Sequence, residues 1–182
     1  MPKLSQRSKL TYIYQMSFYR YKPASEKKVV TYTEAMQKMA NYCAYQERCH
    51  IEVDQKLQEF KLIPEAREKI LMYLLSEDFL NETRFSQSFA RGKFKFKKWG
   101  RLRITKELKA RKISAYNIKK GLEEISDKDY LNTFEASSTK KWESLSKEPV
   151  AKAKQKFINY FQYRGWENQL IFNRLKELIV DS

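Results

Sequence analysis

Residues 89–113 read FARGKFKFKKWGRLRITKELKARKI, and this stretch carries the strongest structural signal in the chain. Gly100 divides it, because glycine ends or opens a helix more readily than it continues one. After Gly100, Ile104 and Leu108 stand four residues apart, which is the spacing of one face of an α-helix. Before Gly100, Phe89 follows Phe85 at the same spacing, and Phe96 lies seven residues further on. The stretch therefore predicts two consecutive helices joined by a short turn.

The composition of the whole chain agrees with a helical fold. Glycine and proline number four each among 182 residues, about 4% against roughly 12% in average usage. Sheets and loop-rich scaffolds need more turn residues than that. The longest apolar run, Ile70 to Leu75, has six residues, whereas a membrane span needs about 20. No secretory signal precedes it, so we expect an all-α, cytoplasmic protein with no membrane contact.

Apolar residues at three- and four-residue steps predict nine helices between Thr33 and Val180. Helix starts are predicted at the following capping or first-turn residues: Thr33, Pro64, Asn81, Ser114, Ser126 or Asp127, and Pro149. Gly165 is predicted to end the eighth helix. Nine helices suggest three groups of three, which a repeat in the sequence would support.

An ungapped alignment supports such a repeat. Shifting residues 104–122 forward by 53 places six residues on partners of the same class: Ile104 on Phe157, Leu108 on Phe161, Arg111 on Arg164, Ile113 on Trp166, Ile118 on Ile171 and Leu122 on Leu175. The first unit fits less well and needs a small insertion. We predict three tandem three-helix repeats, at 31–79, 80–126 and 127–182, packed end to end into an elongated, curved rod. Residues 1–30 form a basic, aromatic arm that we expect to be mobile, and the rod is expected to be a monomer.

Positive charge is concentrated in one segment. The chain carries 37 basic and 22 acidic residues, and residues 91–112 hold eleven bases and one acid. Such density favours a polyanion or an acidic protein surface as partner, although a merely solvated basic face remains an alternative. The candidate binding residues are Arg91, Lys93, Lys95, Lys97, Lys98, Arg101, Arg103, Lys106 and Lys109.

The helical arrangement of this segment allows two further predictions. With Ile104 and Leu108 inward, Arg103, Lys106 and Lys109 fall on the outward side of their helix. The aromatic residues Phe94, Phe96 and Trp99 alternate with the bases. They would stack on nucleic-acid bases if exposed, but packing is the commoner role for such residues, above all for Trp99.

Catalytic and metal chemistry find little support. Cys43, Cys49 and His50 supply three soft ligands, whereas structural zinc uses four; two buried thiols on a helix are the simpler interpretation. No glycine-rich phosphate loop is present. We therefore expect no catalytic residues, no metal and no cofactor.

The central stretch, together with the residues that precede it, resembles the second repeat of the RecX family of recombinase regulators. The matching residues are Arg84, Phe85, Phe89, Ala90, Trp99, Gly100, Arg103, Ile104, Glu107, Leu108 and Ile113. Lys112 departs from the family pattern, which has glycine there, and this puts the turn before Ile113 in question. The first repeat resembles the family through Tyr42–Tyr45, Arg48, Glu52, Val53, Lys56 and Leu57, and the third through Arg164, Gly165 and Trp166.

The resemblance spans residues 33–180. It implies a non-enzymatic protein of three three-helix repeats that binds filaments of the RecA recombinase on single-stranded DNA, with weaker binding to double-stranded DNA. Such proteins suppress ATP hydrolysis, strand exchange and co-protease activity of the filament. The alternative is a general DNA-binding helical module that acts by competing for DNA alone.

Overall fold

The computed structural model describes residues 30–180, and every regular element in that range is an α-helix. The helices are α1 (Tyr32–Tyr45), α2 (His50–Gln58), α3 (Pro64–Ser76), α4 (Glu82–Lys97), α5 (Arg101–Ala110), α6 (Ala115–Leu122), α7 (Asp127–Glu143), α8 (Val150–Arg164) and α9 (Asn168–Val180). They belong to one compact unit, Thr31–Ser182. The all-α prediction is confirmed. The predicted N-terminal arm lies outside the described residues, except for Val30.

Side-chain caps explain where several helices begin. The Asn81 carboxamide oxygen accepts hydrogen bonds from the backbone N–H groups of Thr83 and Arg84, at 3.0 and 3.1 Å. The hydroxyls of Ser114 and Ser126 cap α6 and α7 in the same manner. These caps satisfy donors that a helix start otherwise leaves open. The predicted caps at these three residues are confirmed.

The predicted cap at Thr33 is wrong, because Thr31 holds that role. Thr31 has an extended backbone, and its hydroxyl accepts from the Glu34 N–H at 3.3 Å. The Glu34 carboxylate in turn accepts from the Thr31 N–H at 3.1 Å, which completes a capping box. Thr33 already lies within the first turn of α1.

A left-handed residue follows the second helix of each group of three. Lys61 after α2, Lys112 after α5 and Gly165 after α8 have φ of 55°, 57° and 75°. The turn before Ile113 is therefore kept, although lysine replaces the glycine that would adopt this conformation most easily. The shared backbone feature adds a structural sign of repetition to the one in the sequence.

The principal core joins the second and third groups of helices. Four of the six pairs matched by the 53-residue shift are buried in both groups: Ile104 and Phe157, Leu108 and Phe161, Ile113 and Trp166, and Ile118 and Ile171. Trp166 is only 1% exposed and stacks on Tyr130, with ring centroids 4.5 Å apart. These side chains belong to one continuous apolar cluster. The equivalent positions of the repeat therefore supply one shared interior.

Two glycines bring the backbones of α5 and α8 into direct contact. The Gly100 N–H donates to the Arg164 carbonyl at 2.8 Å, and the Leu102 N–H donates to the Gly165 carbonyl at 3.2 Å. A Cβ atom added to Gly100 would lie 2.2 Å from the Gly165 carbonyl oxygen. The requirement at Gly100 is steric, because its φ of −76° suits any residue.

Replacing Gly100 by alanine should destabilise the fold by about 3 kcal/mol, because the new methyl group must push two backbones apart. Thermal unfolding followed by far-ultraviolet circular dichroism measures this. Gly92→Ala is the matched control, since a Cβ atom there would meet nothing within 4 Å. Equal stability of the two variants would contradict the steric account.

Replacing Lys112 by glycine should stabilise the fold by about 1 kcal/mol, because it relieves a left-handed lysine. Denaturant unfolding gives the free energy of unfolding. Lys106→Gly, in the middle of α5, should instead lose about 1 kcal/mol, since glycine is a poor helix former. A destabilised Lys112→Gly variant would show that the turn carries no strain.

Candidate functional site

Most arginines of the basic segment are held by partners within the fold. Arg91 donates to the Glu124 carboxylate at 2.7 Å. Arg101 donates to the Asp127 carboxylate at 2.7 Å and to the Ile125 carbonyl at 2.9 Å, with its guanidinium over the Tyr130 ring. These two arginines, both predicted to bind a partner, thus connect the basic segment to later helices.

Arg103 is also held, which corrects the prediction that it lies on the outward side of α5. Its guanidinium lies between the rings of Trp99 and Tyr163, with the central carbon 4.1 and 4.4 Å from their centroids. It donates to the Tyr163 carbonyl at 2.8 Å. Arg103 is half-buried at the contact between α5 and α8, where it bridges two groups of helices.

The lysines behave differently. Five of the predicted lysines are exposed and form no ion pair with a carboxylate anywhere in residues 30–180; we term them the free-lysine surface: Lys95, Lys97, Lys98, Lys106 and Lys109. Lys93 is half-buried over the rings of Phe89 and Trp99. Lys112, which the sequence did not single out as a binding residue, is exposed as well. The available positive charge is therefore lysine charge.

The three aromatic residues of the segment divide between packing and exposure. Phe94 packs against Tyr130 and Trp166, with centroids 5.9 and 6.5 Å apart. Trp99 is half-buried under Arg103. Phe96, by contrast, is 75% exposed near the end of α4. The preference for packing is thus confirmed at Phe94 and Trp99 and is wrong at Phe96.

The motif residue Arg84 ties α4 to the first group of helices. Its Nε donates to Glu47 at 2.8 Å, and its guanidinium also pairs with the Asp78 carboxylate. The hydrogen bond to Glu47 is the main reason that the pKa of Arg84 is raised. The pKa of Asp78 is lowered, first by the Asn81 carboxamide and then by Arg84. Phe85 beside it is buried.

The motif of the third repeat supports the same junction from the other side. The Arg164 guanidinium lies 3.6 Å from the Tyr160 ring centroid. The Trp166 Nε1–H donates to the Lys98 carbonyl at 3.0 Å, which fixes the turn between α4 and α5. The motif residues Trp99, Gly100, Ile104, Leu108, Arg164, Gly165 and Trp166 are all buried or half-buried. They hold the free-lysine surface in place.

Tyr130 is a residue of this junction that sequence reasoning missed. Its hydroxyl oxygen accepts from the Arg101 N–H at 3.0 Å and its O–H donates to the Glu167 carboxylate at 2.7 Å. Burial raises the pKa of Tyr130 far above its usual value. The one signal in the sequence is its spacing four residues before Phe134, which indicates a core position and not these hydrogen bonds.

The thiols are buried, as expected. Burial raises the pKa of Cys43 to about 11 and also raises that of Cys49. Cys43 lies in α1, but Cys49 precedes α2, so the two do not share a helix. Across residues 30–180, no group of three or more His, Cys, Asp or Glu side chains could hold a metal ion. No helix in that range has the length and apolar character of a membrane span.

Comparison with known proteins gives one consistent family. Residues 81–122 match the family model of the RecX second three-helix domain. "Regulatory protein RecX" of Enterococcus faecalis is 28% identical over 156 residues, which cover 86% of this chain and 59% of that protein. The protein of the same name from Lactobacillus johnsonii is 24% identical, with 86% of this chain and 56% of that protein covered. The chain thus spans less than two thirds of the length of these relatives.

Two solved structures share the fold. The crystal structure of RecX from Lactobacillus salivarius superposes with a TM-score of 0.69 at 19% identity, covering 82% of this chain and 97% of the other. A second crystal structure, of regulatory protein RecX, gives 0.70 at 16% identity, with 96% and 80% covered. The relatives are named as regulatory proteins. The motif residues, the family model over residues 81–122, the relatives and the fold agree, and the chain is similar to RecX regulatory proteins.

Proposed function

We propose that the chain modulates a RecA-type recombinase: it binds the filament of recombinase on single-stranded DNA and suppresses ATP hydrolysis, strand exchange and co-protease activity. The observation that carries the proposal is the free-lysine surface, whose five ammonium groups lack acidic partners within residues 30–180. All five lie between Lys95 and Lys109 in the chain. Like charges within one segment repel one another, and a polyanion relieves that repulsion. A nucleoprotein filament offers both phosphates and acidic side chains.

The division between held arginines and free lysines supports a sequence-independent mode of binding. Arginine reads guanine edges and phosphates through a planar fork, and Arg91, Arg101 and Arg103 have their forks engaged within the fold. Lysine acts as a mobile point charge that follows the phosphate backbone. A regulator of filaments has to act on any DNA sequence, and backbone contacts serve this purpose.

A second candidate is a general single-stranded DNA-binding module that competes with the recombinase for DNA. The exposed ring of Phe96 among the lysines favours direct contact with unpaired bases. The two candidates differ in stoichiometry, because a filament regulator acts without coating the DNA. They predict different titration curves.

A titration of the full chain into DNA-stimulated ATP hydrolysis by the cognate recombinase tests the proposal. We expect inhibition well below one protein per recombinase at fixed salt. Inhibition that appears only once the protein saturates the free DNA would overturn filament regulation and leave competition for the strand.

Replacing Lys97, Lys106 and Lys109 together by glutamine should weaken inhibition and single-stranded DNA binding. Loss of three phosphate contacts should reduce the slope of log affinity against log salt by about 2, at about 0.7 per phosphate. The control replaces Lys69, Lys147 and Lys176, which are exposed elsewhere and change the net charge equally. Equal weakening in both variants would mean that only total charge matters.

Alanine substitutions at Arg103 and Lys106 should have different effects, one mainly on stability and the other mainly on DNA binding. Arg103→Ala should lose about 2 kcal/mol of unfolding free energy, since it removes two ring contacts and a hydrogen bond. Lys106→Ala should change stability by less than about 0.5 kcal/mol and weaken DNA binding more than Arg103→Ala does. Denaturant unfolding and fluorescence anisotropy of labelled DNA measure the two effects. The opposite ranking in both assays would contradict the division between held and free charges.

A further inference from the structure

Gly92 is a glycine that the fold does not require. The chain has four glycines, and at Gly100, Gly121 and Gly165 an added Cβ atom would lie 2.2, 2.7 and 2.3 Å from backbone atoms. At Gly92 it would meet nothing within 4 Å. Gly92 lies inside α4, where glycine is the poorest choice after proline. Packing therefore explains three glycines and leaves the fourth without a structural reason.

Gly92 lines a groove between α4 and the segment 46–52. The groove has a volume of about 390 Å³, near the lower end of small-molecule sites. Phe96 lines it one helical turn beyond Gly92, and Phe89 lies one turn before. Because Gly92 has no side chain, the helix backbone is open beside the exposed Phe96 ring. A flat group could lie against both.

The two sides of the groove differ in charge. Lys93 and Lys97 line it from α4 and Arg111 lines it from the end of α5, whereas Glu47 and Glu52 line it from the first group of helices. One oxygen of each carboxylate, Oε2, is buried and has no hydrogen-bond partner. The other Glu47 oxygen accepts from Arg84 at 2.8 Å.

Glu52 is neutralised only by looser contacts. Its Oε2 lies 4.0 Å from the Arg48 guanidinium and its Oε1 lies 3.8 Å from that of Arg111. Unmade hydrogen bonds at buried acceptors are unfavourable, so the two carboxylates provide unused acceptor capacity toward an amino group. The terminal torsion of a glutamate is soft, so Glu52, whose contacts are long, can turn an oxygen to a ligand, whereas the Glu47 Oε1 stays bonded to Arg84 and has a second lone pair to offer.

We propose that this groove binds one unpaired nucleobase of single-stranded DNA. The base lies on the backbone at Gly92 and stacks against the Phe96 ring. Its exocyclic amino group donates to Glu47 or Glu52, and the adjoining phosphate lies against Lys97. This deepens, and rests on, the proposed function, because it assigns the contact between the protein and the DNA of the filament.

The mixed charge favours a nucleotide over other occupants. An acidic peptide would meet Glu47 and Glu52, and a basic peptide would meet Lys93, Lys97 and Arg111. A nucleotide carries donors on its base and negative charge on its phosphate, which matches both sides. The base has to be unpaired, because in a duplex its amino group is engaged in pairing and its faces are stacked. Adenine, cytosine and guanine carry an amino group, whereas thymine has none.

The test uses the full chain and a short single-stranded oligonucleotide with one 2-aminopurine, whose fluorescence falls when it stacks on an aromatic ring. We expect quenching with the unchanged protein. Phe96→Ala should abolish the quenching and weaken binding about 5- to 150-fold, the range for loss of one base–aromatic stack. With thymine at every other position, replacing the central 2-aminopurine by thymine should weaken binding at least about fivefold, because no exocyclic amino group then remains. DNA of mixed sequence always offers such a base, so binding to it stays independent of sequence.

Gly92→Ala gives the sharper result, because the proposal predicts higher stability of the fold together with weaker binding of DNA. Alanine should raise the melting temperature by about 2–4 °C, through better helix propensity, and still weaken binding at least about fivefold by filling the surface under the base. Tyr116→Ala is the matched aromatic control, since Tyr116 is 66% exposed and does not line the groove. It should leave quenching and affinity unchanged.

Unchanged quenching in Phe96→Ala and Gly92→Ala would overturn the base site. If the lysine triple variant still lost inhibition in that case, the proposed function would stand without it. The two groove variants could also bind free DNA as the unchanged protein does and yet bind the recombinase filament more weakly. That result would likewise overturn the base site and would assign the groove to a side chain of the recombinase. Quenching that depends on Gly92 and Phe96 in a protein that does not inhibit the recombinase would keep the base site and reject the filament proposal.

Discussion

The contact between the backbones at Gly100 and Gly165 is the constraint on which the rest of the site depends. It joins the start of α5, where N–H groups lack intrahelical acceptors, to the end of α8, where carbonyl groups lack intrahelical donors. The positive end of one helix dipole thus meets the negative end of another. Arg103 between Trp99 and Tyr163, and Trp166 on the Lys98 carbonyl, are both consequences of that approach.

This junction explains why a dense basic segment folds without excessive repulsion. The arginines donate hydrogen bonds to carboxylates and backbone carbonyls of the same chain, and two of them stack on rings, so their positive charge is largely compensated within the fold. The lysines keep theirs at the surface. Arginine suits the first role because its planar group forms several hydrogen bonds and stacks, and lysine suits the second because its flexible stem reaches outward.

Local sequence was enough to predict most helices and their inward residues. Asn81 and Ser114 cap their helices by bonding N–H groups only two or three residues later in the chain. The four-residue spacing of Ile104 and Leu108 is enough to place both on the buried face of α5. At Thr31 and Thr33 the same reasoning chose the wrong one of two threonines, since both precede or begin a helical pattern. The shared repeat was visible because equivalent core positions keep their class.

What sequence could not predict depends on residues far apart in the chain. Arg103 looked outward on a helix considered alone, but its partner Tyr163 lies 60 residues later. The groove beside Gly92 combines α4 with Glu47 and Glu52, about 40 residues earlier, and no periodicity links them. A glycine without steric need becomes visible only once the surroundings of every glycine are known.

The bond between the two helix ends also makes the junction observable in solution. Amide protons at the start of an isolated helix exchange rapidly with solvent, since they have no acceptor. Here the amides of Gly100 and Leu102 are bonded to carbonyls some 60 residues later. Their exchange with deuterium therefore follows the opening of α8 from α5 rather than the fraying of α5. Two backbone protons thus report whether the third group of helices is docked on the second.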